Sequence, residues 1–193
     1  MHIISGRFRH KQLQTPKGGS TRPTSSFMRE SVFNICQNFI EDSNFLDIFA
    51  GSGAIGLEAL SRLAAFATFI DSSKEAVQCM EKNVALLQVK PQCRILYGDV
   101  FKMLERLEKK QDKFDIIFAD PPYNTPVHAG STVLISAQIV RFLDEHPLLA
   151  KDGRLFIEED WKSRPELTNL KHLKLVDSRR MGDSALQRYE IFS

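Results

Sequence analysis

The feature that most limits what this chain can fold into is the alternation, from Phe45 onward, of short apolar runs with longer amphipathic stretches. Parallel strands cannot be joined by a tight turn and need a crossover, usually a helix, so this alternation predicts a largely parallel sheet covered on both faces. Strands are expected over 45–50, 67–71, 94–97, 114–120 and 153–158, and helices over 54–64, 73–87, 101–109 and 133–145. In the second of these helices Ala76, Val77, Met80, Val84 and Leu87 form an apolar stripe at a 3.6-residue period. Two further strand-like stretches, 173–177 and 188–192, flank a segment over 179–184 with hairpin composition, so an antiparallel pair is expected to close the sheet.

The first thirty residues stand outside this alternation. Gly6, Pro16, Gly18, Gly19 and Pro23 punctuate two strand-like pieces, Ile3-Ile4 and Leu13-Gln14-Thr15, which predicts a small hairpin. This segment holds Arg7, Arg9, Lys11, Lys17, Arg22 and Arg29 against Glu30 alone, a balance of +5 that leaves −3 for the rest of a chain with net charge +2. A basic edge on a near-neutral body suits a polyanion, because phosphate contacts by Lys and Arg supply most non-specific nucleic-acid affinity. An ordinary solvated surface can have the same composition. Ser25 and Ser26 offer an N-cap for a helix through Met28, Val32, Phe33, Ile35 and Cys36.

The 193 residues, 42% of them hydrophobic, suit one domain with a full core, and no apolar run approaches the roughly 20 residues of a membrane span. The start, Met1-His2-Ile3-Ile4-Ser5-Gly6-Arg7, lacks the apolar segment of a secretory signal, so the expected location is the cytoplasm. Cys36, Cys79 and Cys93 form no C-x-x-C pair and the histidines no H-x-x-x-H pair, so neither a disulfide framework nor a metal site is expected.

Between the first predicted strand and its helix lies Asp47-Ile48-Phe49-Ala50-Gly51-Ser52-Gly53-Ala54-Ile55-Gly56, a G-x-G-x-x-G turn in the strand-to-helix context that the motif requires. Gly51 and Gly53 let the backbone turn sharply against a ligand, and the helix N–H groups favour a negative group there. Asp71 ends the next strand, where an acidic side chain can bind ribose hydroxyls. These features indicate a nucleoside cofactor and leave both a dinucleotide and S-adenosylmethionine open. Two acids favour S-adenosylmethionine. Asp47 lies four residues before Gly51 and can meet a methionine ammonium, which a dinucleotide lacks, and Asp99 is placed to accept a hydrogen bond from an adenine amino group or to serve as a helix N-cap.

Asp120-Pro121-Pro122-Tyr123 follows the apolar run over 114–119 and so sits at a strand end. The prolines lack N–H groups and hold φ near −65°, leaving the Asp120 and Pro121 carbonyls to accept hydrogen bonds from outside the chain. A carboxylate, carbonyls and an aromatic ring at one spot suit an exocyclic amino group on a planar base.

The glycine turn followed by Asp-Pro-Pro-Tyr resembles the amino-methyltransferases that use S-adenosylmethionine. With Thr21-Arg22-Pro23-Thr24, Arg29-Glu30-Ser31-Val32-Phe33-Asn34 and the run from Phe49 to Arg62, the resemblance narrows to the RsmD family and extends from Ile4-Ser5-Gly6 to Gln187-Arg188-Tyr189. It implies a Rossmann-like class I methyltransferase whose seven-stranded, mostly parallel sheet ends in two antiparallel strands, with its site at the carboxyl ends of the first and fourth strands. The implied reaction is methyl transfer to N2 of a guanine in 16S ribosomal RNA, with Asp120 and Pro121 binding the amine and Tyr123 stacking on the base. Asp47, Gly51, Gly53, Asp71 and Asp99 are the expected cofactor residues. Arg7, Arg9, Lys11, Arg22 and Arg29 are the expected RNA residues, with Arg22 and Arg29 placed either at the RNA or at the methionine end of the cofactor. A basic extension over 1–24 and a methyltransferase domain over 25–193 are expected, in a monomer acting on the small subunit or an assembly intermediate. The competing readings are a DNA adenine-N6 methyltransferase, for which the chain is short, and a non-catalytic RNA-binding module, which has no use for a cofactor turn.

Overall fold

The computed structural model describes residues 1–16, 26–122, 134–162 and 167–192. Helix α1 (Ser26–Cys36) leads into β1 (Asn44–Ile48), and the chain then alternates through α2 (Ala54–Ser61), β2 (Phe66–Asp71), α3 (Lys74–Leu87), β3 (Cys93–Tyr97), α4 (Val100–Lys109), β4 (Phe114–Ala119), α5 (Ile135–Glu145) and β5 (Leu149–Asp160). Strands β6 (Leu173–Met181) and β7 (Ser184–Ile191) follow. The sheet order is β3-β2-β1-β4-β5-β7-β6. β1 pairs in parallel with both β2 and β4, so the chain builds one half outward to β3 and returns to build the other, and the topological switch point falls between β1 and β4.

Side-chain alternation along each strand divides the core in two. On β1, Phe45 faces the layer of α1, α2 and α3, whereas Leu46 and Ile48 face α4 and α5. On β4, Ile116 and Phe118 join the first layer, and Ile117 and Ala119 the second. The fold is the three-layer Rossmann-like architecture of class I S-adenosylmethionine-dependent methyltransferases.

Several boundaries differ from the sequence expectation, most of all around the last three strands. β5 starts at Leu149 rather than Gly153, because Lys151-Asp152-Gly153, which reads as a turn, is absorbed as an irregularity between the Phe114↔Leu149 and Ile116↔Arg154 pairs. β6 continues to Met181 through the polar run Ser178-Arg179-Arg180, which an edge strand tolerates because one side of it faces solvent. The closing hairpin therefore turns on Gly182 and Asp183 alone. Within it only β7 runs against the sheet: it lies between β5 and β6 and is antiparallel to both, so β6 points the same way as β1 to β5.

The amino-terminal segment folds back on itself through one antiparallel bridge, His2↔Gln12, with Ile3 N–H donating to the Lys11 carbonyl at 3.0 Å and Leu13 N–H to that of Met1 at 2.8 Å. Ile3 and Leu13 are buried in the same core layer as Met28, Val32 and Leu57. Glu58 of α2, fully buried, accepts from Ile4 N–H at 2.8 Å and Ser5 N–H at 2.9 Å and pairs with Arg62 at 2.9 Å. This carboxylate latches the segment along α2.

Candidate active site

Adjacent parallel strands deliver their carboxyl ends to one edge of the sheet, where backbone hydrogen bonds tie the emerging loops together. Asp120 N–H donates to the Ile48 carbonyl at 3.3 Å, Ala50 N–H to that of Ile70 at 3.1 Å, and Gly98 N–H to that of Asp71 at 3.0 Å. The Asp-Pro corner, the glycine turn, Asp71 and the Gly98-Asp99 pair thus form one row across β4, β1, β2 and β3, with the corner and the turn on either side of the switch point.

The glycine turn is held in place from several sides. Gly53 N–H closes it on the Ala50 carbonyl at 2.7 Å. Gly51, at φ +55°, has nothing among the described residues within 4 Å of where a Cβ would stand, so its outer face is an open cradle into which a ligand can come against backbone. Gly56 serves the opposite purpose: a Cβ there would lie 2.3 Å from Cε1 of Phe69, so its absence lets α2 pack close on β2. Phe49 enters the turn at φ +61°, a left-handed conformation that costs a non-glycine residue and recurs at ligand-binding sites.

The acids expected at the cofactor have distinct surroundings. Asp71, half-buried, accepts from Gly51 N–H and Ser73 N–H, both at 2.8 Å, which ties the turn to the end of β2. Asp47 lies behind the turn, 2% exposed, and accepts from Gly56 N–H at 3.0 Å. Burial pushes its pKa up to about 7; the Gly56 hydrogen bond opposes that rise, and the neighbouring Asp71 adds to it. Asp99 is exposed and N-caps α4, accepting from Lys102 N–H at 3.1 Å. The open cradle at Gly51, first-turn N–H groups of α2 and a carboxylate at the end of β2 fit the carboxylate and ribose of a nucleoside cofactor.

Asp120 is half-buried and Pro121 buried, whereas Pro122 is exposed. Tyr123 and Arg22 lie outside the described residues. Among the described residues, the predicted RNA cations do not gather at this edge. Arg7 and Arg9 are exposed, but Arg7 N–H donates to the carbonyl of Ser61, the last residue of α2, and its guanidinium to Gln92 just ahead of β3. That is the amino edge of the sheet, about 12 Å of helix away from the glycine turn. Lys11 is exposed, on the returning arm of the segment. Arg29 departs from its expected role: it is 2% exposed, donates to the His2 carbonyl at 3.0 Å and lies 3.7 Å from Glu58. Burial lowers its pKa against the opposing pull of Glu58. Its charge is spent beneath the amino-terminal segment, out of reach of RNA in this arrangement.

One supporting residue escaped the sequence reading. Asn83 of α3 is fully buried; its amide donates to the carbonyls of Ser52 at 2.9 Å and Gln14 at 3.0 Å, and accepts from Gln14 N–H at 2.8 Å. It joins the glycine turn to the amino-terminal segment. The available signal was a polar residue inside the apolar stripe between Met80 and Val84.

Residues 1–190 match the family model described as Conserved hypothetical protein 95. The chain is 33% identical over 160 residues to the Putative rRNA methyltransferase YlbH of Bacillus subtilis, covering 83% of each. It is 32% identical to the Ribosomal RNA small subunit methyltransferase D of Escherichia coli, over 83% of this chain and 75% of that one. This chain belongs to the RsmD family. Among solved structures, the putative methyltransferase yhhF from Escherichia coli superposes with a TM-score of 0.81 at 30% identity, over 99% of this chain and 97% of that one. The family-model match over residues 1–190 and the superposition on yhhF over 99% of this chain take in both the amino-terminal segment and the closing hairpin.

Proposed function

We propose that this protein transfers a methyl group from S-adenosylmethionine to the exocyclic N2 of a guanine in 16S ribosomal RNA, acting as a monomer in the cytoplasm on the small subunit or an assembly intermediate. The observation that carries the reading is the bond from Asp120 N–H to the Ile48 carbonyl, which sets an Asp-Pro corner directly beside a cofactor turn across the switch point. The names of the relatives support the ribosomal substrate.

The cofactor, when bound, supplies an electrophilic methyl on a sulfonium. Gly51, Gly53 and Asp71 hold it, with Asp47 behind the turn and Asp99 toward the adenine. The guanine N2 is a poor nucleophile because its lone pair is conjugated with the ring. Hydrogen bonds from its N–H groups to the Asp120 carboxylate and the Pro121 carbonyl oppose that conjugation and stabilise the positive charge that grows on nitrogen as the N–C bond forms and the C–S bond breaks. The surplus proton then leaves to water or to Asp120. Tyr123 stacks on the unstacked base and holds it in line. Residues 1–24 form a basic extension in which Arg7, Arg9, Lys11 and Arg22 contact the RNA backbone, and residues 25–193 form the catalytic domain.

The test is methyl transfer from labelled cofactor to small subunits from a strain lacking this gene, followed by mapping of the modified base. Label on N2 of one 16S guanine is the expected result. Transfer to adenine N6 of duplex DNA in a parallel assay with none to the subunits, or cofactor binding with no transfer to RNA, would overturn the reading.

A further inference from the structure

The cofactor acids occupy the β3-β2-β1 half of the reactive edge, so in-line attack brings the RNA over the other half, β4-β5-β7-β6. Of the predicted RNA cations among the described residues, Arg7 is at the amino edge and Arg29 is buried. The β6–β7 hairpin belongs to that other half. β4 ends at Ala119, paired with Ile157, whereas β5 runs on to Asp160, paired with Ser184 at the start of β7. Three more residues of strand raise this hairpin about 10 Å beyond the level of Ala119, as a wall beside the corner.

The chemistry of the wall suits single-stranded RNA. Its cations Lys162, Arg179 and Arg180 are exposed. The Arg180 guanidinium lies 5.4 Å from the ring centroid of Trp161, the single tryptophan of the chain. The arrangement is built rather than loose: Trp161 N–H donates to the Asp183 carbonyl at 2.9 Å, and Arg180 Nε to the Gly182 carbonyl at 3.0 Å. Arg179 pairs with Asp177 at 2.7 Å, and Asp160 is turned to accept from Lys162 N–H at 2.7 Å. A guanidinium held over an indole offers a charge for a phosphate and a flat surface for a base.

We propose that the hairpin tip, Arg180 with Trp161 and Lys162, is a second RNA-contact surface that grips the nucleotides flanking the methylated base. This rests on the reading of the substrate as RNA, but its first measurement needs no turnover. Because Trp161 is the sole tryptophan, emission excited at its red edge reports the surface alone. Protein-free 16S rRNA should quench that emission, and Arg180→Ala should shift the titration midpoint upward. In steady-state transfer to small subunits, Arg180→Ala and Trp161→Ala should each raise KM for the subunit by about tenfold, with kcat and cofactor affinity unchanged. Arg180→Lys should regain the salt dependence of binding but not the full affinity, since it keeps the charge and loses the plane. Trp161→Phe, which keeps an aromatic ring, guards against loss of fold and should hold KM nearer the wild-type value. Unchanged emission while filter binding shows the RNA bound, or an unchanged subunit KM in both alanine variants, would overturn the proposal. Quenching without methyl transfer by the wild-type protein would keep this surface and instead sink the methylation reading.

Discussion

Asp120 and Asp47 are both carboxylates at the ends of neighbouring strands, yet their surroundings give them opposite tasks. Asp120 sits half-buried just past the end of β4. Asp120→Ala is expected to lower single-turnover transfer by about a hundredfold or more, the scale of losing one charge-stabilising group, while leaving cofactor affinity near that of the native protein. Transfer at the native rate would remove Asp120 from the reaction. Asp47 is enclosed, with its pKa raised from 3.8 to about 7. Between those values the folded state keeps a proton that the unfolded chain has released, so stability falls as pH rises through that window and levels off above it. Asp47→Asn retains an acceptor for Gly56 N–H and should flatten this slope, making the variant more stable than the native protein at pH 8 by a few kcal/mol at most. Denaturant titrations from pH 4 to 8 check it. If the charge of Asp47 also meets the cofactor ammonium, the same variant loses cofactor affinity in calorimetry.

At the scale of elements, the glycine turn and α2 show how one motif divides its labour. A Cβ at Gly56 would stand 2.3 Å from Phe69, so that glycine serves packing, whereas the Gly51 position, at φ +55° and open among the described residues, is the one proposed to meet the ligand. Gly56→Ala should therefore destabilise the fold by about 1–3 kcal/mol through overpacking against β2. Gly51→Ala should cost about 1–2 kcal/mol for a left-handed alanine, and in addition weaken cofactor binding by placing a methyl in the cradle. Denaturation curves and calorimetry on the two variants separate these effects. The row of backbone bonds from Asp120 to Gly98 explains why the strand ends can act together: each loop begins from a carbonyl of its neighbour, so the positions of four loops are set by one sheet.

The whole molecule joins its basic amino-terminal segment to its proposed catalytic edge through α2 and α3. Glu58 holds the outer arm and Asn83 the inner one, the latter directly on the Ser52 carbonyl. Glu58→Ala would leave Arg29 buried without its carboxylate and two backbone amides without acceptors, an expected loss of about 3–5 kcal/mol. Urea unfolding measures it. Because Arg7 lies at the amino edge, RNA that touches both the segment and the Asp-Pro corner must run the length of α2. Replacing Arg7, Arg9 and Lys11 with alanine should weaken RNA binding and flatten its log–log salt dependence by up to about one phosphate contact per side chain, with cofactor affinity constant. An identical slope would reduce the patch to solvated surface.

Much of this architecture was legible in one dimension, because local rules govern it. Helical periodicity in Ala76 to Leu87, the strand-glycine-helix context of Gly51 and Gly53, and the strand preceding Asp120 each depend on residues within a few positions of one another, and each element formed where those patterns stood. What only the tertiary structure decided depends on partners far apart in the chain. Arg29 reads as a free basic side chain until Glu58 and His2 close over it, and Asn83 reads as a helix residue until Gln14 and Ser52 meet its amide. Strand β7 slips between β5 and β6 although it comes last, and polar Ser178-Arg179-Arg180 extends a strand because β7 supplies the other half of its ladder. Charge composition located a basic segment but not the edge it occupies. That position follows from buried Ile3 and Leu13, whose place in the core exists only once α1, α2 and α3 have assembled on the sheet.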